Sequence, residues 1–191
     1  MNQSPPSPAI VAILAGGKAT RFDGQDKGTI KLGGKRFIDI ILQRLSAQAD
    51  EIIISGTYDY DLGIEVIPDA QDAPGGPVGG IYSIWKKLSS RDVEGFFTVP
   101  VDGPSLPLDL TKRLYSPMSS SVAADEKRRH PTYGWWRMTE LSHLFDDINI
   151  QHSISLNKLA DHMSAKDVHW TGENNFININ RPEDLRIVKR D

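Results

Sequence analysis

Residues 10–32 read IVAILAGGKATRFDGQDKGTIKL, a short apolar run that ends in Ala15-Gly16-Gly17 and continues as a cationic loop. The β-branched run over Ala9–Leu14 predicts a first strand. Glycines let backbone N–H groups approach a phosphate closely, and cations such as Arg21 and Lys27 offset its charge. The stretch matches neither the P-loop nor the dinucleotide fingerprint, so it predicts polyphosphate binding in general. A plain glycine turn with solvated lysines is the alternative.

Length and composition indicate a single globular domain. The chain has 191 residues, of which 39% are hydrophobic and 25% are charged, an ordinary balance for a soluble protein. We expect residues 1–8, MNQSPPSP, to form a flexible tail and residues 9–191 to form the domain. There is no secretion-signal pattern and no apolar run of about 20 residues, so we expect a cytoplasmic protein with no membrane partner.

Charge and residue usage exclude several function classes. The net charge of −3 argues against a general nucleic-acid grip. The absence of cysteine excludes disulfides, thiol catalysis and thiolate zinc sites. The adjacent Trp135 and Trp136 are predicted to be core residues rather than stacking platforms for bases.

Strand-like and helix-like segments alternate along the chain, which predicts an α/β domain in three layers with a mostly parallel sheet. The predicted strands after the first are Glu51–Ile54, Ile64–Ile67, Gly95–Val101, Ser121–Ala124, Thr132–Trp136, Asp167–Trp170 and Phe176–Ile179. The predicted helices are Phe37–Ala47, Val78–Leu88, Leu108–Tyr115, Thr139–Phe145, Ile154–His162 and a closing helix that begins near Pro182.

Glycine or polar residues stand at or just beyond the ends of four of these strands. Gly16-Gly17 follows the first, Ser55 the second, Asp69 the third, and Asp102 the buried strand that ends in Val101. Ligands of open α/β sheets bind at the carboxyl ends of the strands, so these residues predict one shared site. A carboxylate at Asp102 is well placed for Mg²⁺, although Asp69 and Asp102 are also typical turn residues.

Several motifs carry a resemblance to a known family. Residues 14–35, LAGGKATRFDGQDKGTIKLGGK, resemble the signature loop of the nucleotidyltransferase superfamily and, more narrowly, of the molybdenum cofactor guanylyltransferases. Residues 74–80 (PGGPVGG) and 99–107 (VPVDGPSLP), His130-Pro131, and residues 176–185 (FININRPEDL) resemble further segments of that family, in the same order.

The resemblance implies a fold and a reaction. The fold would be a three-layer α/β/α Rossmann-like nucleotidyltransferase domain with a mostly parallel central sheet. The reaction would transfer GMP from GTP to the terminal phosphate of the molybdenum-molybdopterin cofactor, releasing pyrophosphate and forming molybdopterin guanine dinucleotide. The implied partners are these two substrates and proteins of cofactor biosynthesis and delivery, and we expect a monomer.

The resemblance also implies a role for each site residue. The acceptor side would include Asn178 and Asn180. Catalysis would involve Lys27 on the phosphates, Asp102 as the Mg²⁺ ligand and Arg21 as a second cationic clamp. The nucleotide would be bound by Leu14, Ala15, Gly16, Gly17, Lys27, Ser55, Asp69 and Asp102.

Departures from the family pattern leave alternatives open. Asp23 adds an acid to the phosphate loop, Ser55 stands where the family tends to have asparagine, and His152-Ser153 replace a basic pair. One alternative is a nucleotidyltransferase with another acceptor, such as a sugar phosphate, or with cytidylyl transfer to the pterin. The other is a catalytically weak nucleotide-binding partner protein.

Overall fold

A computed structural model of the chain describes residues 5–16, 25–147, 154–172, 175–179 and 184. Several predicted features lie outside these residues: Gly17, Arg21, Asp23, His152-Ser153 and Asn180. Of the closing helix predicted near Pro182, only residue 184 is described. The predicted tail is described only over residues 5–8, where Pro5 and Pro6 line a groove beside the end of the first helix.

The described residues form a seven-stranded sheet, a two-stranded hairpin and five α-helices. The strands are β1 (Ile10–Leu14), β2 (Lys31–Leu32), β3 (Lys35–Arg36), β4 (Glu51–Ser55), β5 (Glu65–Ile67), β6 (Gly95–Pro100), β7 (Ser121–Ala124), β8 (Arg129–Arg137) and β9 (Lys166–His169). The helices are α1 (Phe37–Leu45), α2 (Pro77–Leu88), α3 (Leu110–Leu114), α4 (Met138–Asp147) and α5 (Leu156–His162), and a 3₁₀ turn spans Lys27–Thr29. None of these helices has the length and apolar character that crossing a membrane requires.

The central sheet is mostly parallel, as predicted. Its order is β5-β4-β1-β6-β8-β7-β9, and only β8 runs antiparallel to its two neighbours. In the register, Leu14 lies opposite both Ser55 of β4 and Pro100 of β6. The carboxyl ends of these three strands are therefore level at one edge of the sheet.

Apolar side chains on both faces of the sheet explain the three layers. In β1, Val11 and Ile13 pack on the face covered by α1 and α3, whereas Ile10 and Ala12 pack on the face covered by α2, α4 and α5. A strand that is apolar at every position must be covered on both faces, because each buried side chain contributes about 1.5–3 kcal/mol.

The adjacent tryptophans confirm their predicted place in the core. Trp135 and Trp136 are fully buried, one on each face of the sheet. The indole N–H of Trp136 donates to Thr98 Oγ1 at 2.8 Å, which satisfies the polar atom of a buried ring.

Two segments differ from the sequence prediction. The β2–β3 hairpin was not predicted; it turns at Gly33 and Gly34, whose φ angles of 59° and 87° favour glycine. The predicted strand Phe176–Ile179 is wrong, since this segment is irregular and pairs with none of the described strands. Phe176 has a φ of 60°, and the amide of Ile179 donates to the carbonyl of Asp102, which lies in a turn.

Candidate active site

A cavity of about 220 Å³ opens at the carboxyl edge of the sheet, between the ends of β1 and β6. Its lining comes from six separate parts of the fold. These residues are Leu14, Ala15, Gly16, Lys27, Pro77, Pro100, Val101, Asp102, Thr132 and Asn178. The position agrees with the prediction that the polar ends of neighbouring strands form one site.

The backbone after β1 forms one wall of this cavity. The amide of Ala15 donates to the carbonyl of Ser55 at 2.8 Å, which continues the β1–β4 ladder past the strand end. A Cβ built on Gly16 would meet no atom of the described residues within 4 Å, and Gly16 lines the cavity. Gly56 has a φ of 152°, and a Cβ there would lie 3.3 Å from the carbonyl carbon of Ala15. A glycine at position 56 therefore lets the end of β4 pass close to the candidate phosphate loop.

An ion pair between Lys27 and Asp102 lies at the centre of the site. Lys27 Nζ is 2.5 Å from Asp102 Oδ2, and the two side chains are 24% and 13% exposed. The two residues are 75 positions apart in the sequence. The resemblance implies a phosphate contact for Lys27 and Mg²⁺ binding for Asp102. Their partial exposure leaves the pair open to a ligand in the cavity.

The first turn of α2 packs closely over the strand ends. Gly76 begins this turn with a φ of 77°, and Pro77 at the first helical position lines the cavity. A Cβ on Gly80 would lie 2.6 Å from Ser55 Oγ, and one on Gly79 would lie 2.2 Å from the carbonyl oxygen of Pro74. These glycines bring the positive end of the helix dipole to the cavity, where it favours an anion.

Two predicted nucleotide residues lie beside this turn rather than on the cavity wall. Ser55 is 1% exposed, and its hydroxyl faces Gly80. Asp69 lies next to Gly79, and partial burial of its carboxyl raises its pKa although the residue as a whole is exposed. Ser83 holds this segment in place, because its hydroxyl accepts from the amide of Ala70 at 2.8 Å. The nucleotide contacts of Ser55 and Asp69 remain predictions.

Asn178 reaches the cavity through the segment 176–179. The amide of Ile179 donates to the carbonyl of Asp102 at 2.8 Å, and the amide of Ile177 donates to Ser105 Oγ at 2.9 Å. The hydroxyl of Tyr133 donates to Asn178 Oδ1 at 3.3 Å. Burial and the neighbouring carboxylate of Asp102 raise the pKa of Tyr133, so this hydroxyl stays protonated and donates.

A buried histidine, His130, packs against the same segment. The ring of Phe176 stacks on His130 with centroids 4.9 Å apart, and His130 Nε2 is 2.8 Å from Asp125 Oδ2. Although burial opposes its ionisation, hydrogen bonds from His130 and from the amides of Arg128 and Lys127 lower the pKa of Asp125 to about 2. The resemblance had marked only His130-Pro131 in this cluster.

We expect Asp125→Asn to make the free energy of unfolding less dependent on pH under acidic conditions. A carboxyl with a lowered pKa in the folded state adds stability above its unfolded pKa, and this stability is lost as the pH falls from about 4 towards 2. The native protein should therefore lose about 2 kcal/mol more than Asp125→Asn over this window. Urea unfolding at pH 5 and pH 2.5 measures the difference, and equal losses in both proteins would contradict the assignment.

Asp102 is the predicted Mg²⁺ ligand of this site. Mg²⁺ takes oxygen ligands and is commonly held by one or two carboxylates together with substrate phosphates. Asp102 supplies one carboxylate facing the cavity, and the part of the chain described contains no cluster of three metal-ligating side chains. Among the described residues, this set fits an ion that nucleotide oxygens help to hold.

The structure brings together most of the predicted site that it describes. Six predicted residues line the cavity: Leu14, Ala15, Gly16, Lys27, Asp102 and Asn178. Sequence reasoning missed Pro77 and Thr132 as lining residues and Tyr133 as the partner of Asn178. Pro77 stood in a recognised motif, whereas Thr132 and Tyr133 belong to a strand whose pairing was unknown.

Known proteins resemble this chain over most of its length. Residues 11–161 match the family model described as MobA-like NTP transferase domain. Two relatives named molybdenum cofactor guanylyltransferase, from Cereibacter sphaeroides and Yersinia pestis, are each 32% identical to the chain. The first alignment covers 91% of both proteins, and the second covers 92% of both.

A solved structure shares the fold. Molybdopterin-guanine dinucleotide biosynthesis protein A from Archaeoglobus fulgidus superposes with a TM-score of 0.69, covering 94% of this chain and 96% of that one. The sequences are 20% identical, so this likeness bears on the architecture alone. The three-layer α/β prediction is confirmed.

Proposed function

The chain belongs to the family of MobA-like NTP transferase domains, and on that premise we propose that it transfers GMP from GTP to the molybdenum-molybdopterin cofactor. Relatives with the name molybdenum cofactor guanylyltransferase support the choice of base and acceptor. The observation that carries the proposal is the Lys27–Asp102 pair, at 2.5 Å, which faces a cavity lined by Ala15 and Gly16.

The reaction forms one bond and breaks another. An oxygen of the acceptor's terminal phosphate attacks the α-phosphorus of GTP, and the bond from that phosphorus to the bridging β-oxygen breaks. Pyrophosphate leaves with the bond electrons, and the product is a guanine dinucleotide. Such a transfer depends on alignment and charge stabilisation more than on covalent help from the protein.

Each side chain of the site has a role in this transfer. The backbone of residues 14–16 and the first turn of α2 approach the phosphates, and Lys27 exchanges Asp102 for a phosphate oxygen. Asp102 is then available to hold Mg²⁺, which when bound offsets charge on the pyrophosphate. Asn178, fixed by Tyr133, faces the acceptor. A cytoplasmic monomer remains our expectation for the enzyme.

Product analysis tests the proposal directly. The protein is incubated with GTP, CTP or ATP, Mg²⁺ and the molybdenum-bearing pterin, and the products are identified by mass spectrometry together with released pyrophosphate. We expect the guanine dinucleotide from GTP and little product from the other nucleotides. Equal product from CTP would favour cytidylyl transfer to the pterin. Transfer to a sugar phosphate and not to the pterin would favour the sugar phosphate as the acceptor. Nucleotide binding without any transfer would favour the non-catalytic alternative.

Binding of Mg²⁺ should depend on the nucleotide. In the free protein Asp102 is neutralised by Lys27, so Mg²⁺ alone should bind no more tightly than about 1 mM. With GTP bound, Lys27 moves to the phosphates, and the apparent Mg²⁺ affinity should rise by about tenfold or more. Titration calorimetry with and without GTP, corrected for Mg²⁺ binding to free GTP, measures this coupling. Equal affinity in both titrations would contradict the role of Asp102.

A further inference from the structure

Tyr60 is a buried aromatic residue that lies in a loop rather than in a helix or strand. The loop joins β4 to β5 over residues 56–64, and its other tyrosine, Tyr58, is 48% exposed, whereas Tyr60 is fully buried. Tyr60 also has a φ of 57°, a backbone conformation that side chains other than asparagine and aspartate rarely adopt. It does not belong to the cavity wall, and the transfer described above does not use it.

The side chain of Tyr60 supports the turn that carries Lys27. Its hydroxyl donates to Asp26 Oδ1 at 2.6 Å, and the same oxygen accepts from the amide of Gly28 at 2.8 Å. A Cβ on Gly28 would lie 2.4 Å from Cε1 of Tyr60, so the turn packs directly against the hydroxyl end of this side chain. The contacts of Tyr60 thus fall on the two residues that flank Lys27.

The backbone of Tyr60 is fixed from the opposite side. Its carbonyl accepts from Arg36 Nη1 at 3.0 Å. Arg36 in turn donates two hydrogen bonds to Asp39, at 2.8 and 2.7 Å, in the first turn of α1. Such a paired guanidinium is held in one orientation, so Tyr60 is tied to a packed helix at one end and to the Lys27 turn at the other.

We propose that Tyr60 is a positioning residue that, through Asp26, fixes Lys27 in register with Asp102 and the phosphates. Its effect on turnover rests on the proposed function, whereas its effect on the placement of Lys27 does not. A cation that must meet a phosphate at a defined point gains from a rigid support, since small displacements of a catalytic group cost large factors in rate.

The first test reads the placement of Lys27 without any substrate. Trace acetylation of the free protein, followed by mass spectrometry of its peptides, compares the native protein with Tyr60→Phe. An amine hydrogen-bonded to a carboxylate in a partly buried position is shielded from the reagent, so we expect Lys27 to react about three- to tenfold faster in Tyr60→Phe. Lys87, paired with Glu65 at 2.7 Å on the surface, serves as the internal reference.

Tyr82→Phe is the matched control. The hydroxyl of Tyr82 also donates to a carboxylate, Asp72 Oδ2, at 2.9 Å, but it lies on the exposed side of α2. This variant should leave the acetylation rate of Lys27 unchanged. A fall of about 2–4 °C in the unfolding midpoint of Tyr60→Phe is compatible with the proposal, because acetylation is compared below the onset of unfolding.

The second test reads turnover. We expect Tyr60→Phe to lower kcat for guanylyl transfer about tenfold with a smaller change in the KM for GTP. Because Tyr60 acts through Asp26, the double variant Tyr60→Phe/Asp26→Ala should be no slower than Asp26→Ala alone. A loss of folded protein alone would lower kcat in proportion to the active fraction and would add in the double variant.

The outcomes separate the two proposals. Two results would overturn the positioning role. One is an acetylation rate of Lys27 in Tyr60→Phe equal to that in the native protein, and the other is additive losses of kcat in the double variant. If the native protein transfers no GMP, the proposed function fails, and the acetylation comparison still decides whether Tyr60 places Lys27.

Discussion

We expect Asp102→Asn to lower the rate of the proposed guanylyl transfer by about 10²–10³-fold while the protein stays folded. The substitution keeps the size of the side chain but removes the charge that pairs with Lys27 at 2.5 Å and that would hold Mg²⁺. The stability cost should stay near 1 kcal/mol, because both side chains are partly exposed and Lys27 can turn to solvent. Steady-state pyrophosphate release and thermal unfolding measure the two effects separately.

The control for this prediction is Asp72→Asn. Asp72 pairs with Lys86 at 2.7 Å, but both side chains are more than half exposed and lie away from the cavity. Removing this charge should leave turnover within about twofold of native. Near-native turnover in Asp102→Asn would show that the charge of this carboxylate does not contribute to the rate, and the cavity would then have a binding role only.

Metal titration separates the two roles that Asp102 could have. If Asp102 holds Mg²⁺, raising the Mg²⁺ concentration should restore part of the rate of Asp102→Asn, because the phosphates still supply oxygen ligands. The same increase should not restore Lys27→Met, which lacks a phosphate contact rather than a metal ligand. Restoration of neither variant would indicate that Asp102 acts by orienting Lys27.

The strand that begins the fold was predictable because its physics is local. Residues 10–14 are apolar at every position, and such a run must be buried on both faces of a sheet. The general rule for α/β sheets then predicted that Gly16, after β1, and Asp102, after β6, share one site, and both line the cavity. The phosphate role of Lys27 was predicted from the cationic loop and from the family resemblance.

The errors arose where distant partners decide the local structure. The segment 176–179 alternates like a strand, but its amides bond to a turn carbonyl at Asp102 and to the hydroxyl of Ser105. The supporting role of Tyr60 was not predicted, because its contact with Asp26 joins residues 34 positions apart in the sequence. The antiparallel direction of β8 depends on the strand order, which local patterns do not contain.

Gly79→Ala should destabilise the protein by about 3 kcal/mol and weaken GTP binding about tenfold. A Cβ at this position would lie 2.2 Å from the carbonyl oxygen of Pro74, a backbone atom that cannot rotate away. Relief requires the first turn of α2 to move, and Pro77 in that turn lines the cavity. Chemical unfolding and GTP calorimetry on the same preparation measure both effects.

Gly80→Ala provides the comparison, because its clash is with a side chain. The new Cβ would lie 2.6 Å from Ser55 Oγ, and removing that hydroxyl in Ser55→Ala should relieve the contact. We expect Ser55→Ala/Gly80→Ala to be more stable than Gly80→Ala, whereas Ser55→Ala should bring no comparable gain to Gly79→Ala. Ser55→Ala alone also tests the predicted contact of Ser55 with the nucleotide, which requires weaker GTP binding. A Gly79→Ala protein as stable and as tight for GTP as the native one would show that the close packing of α2 is not what shapes the cavity.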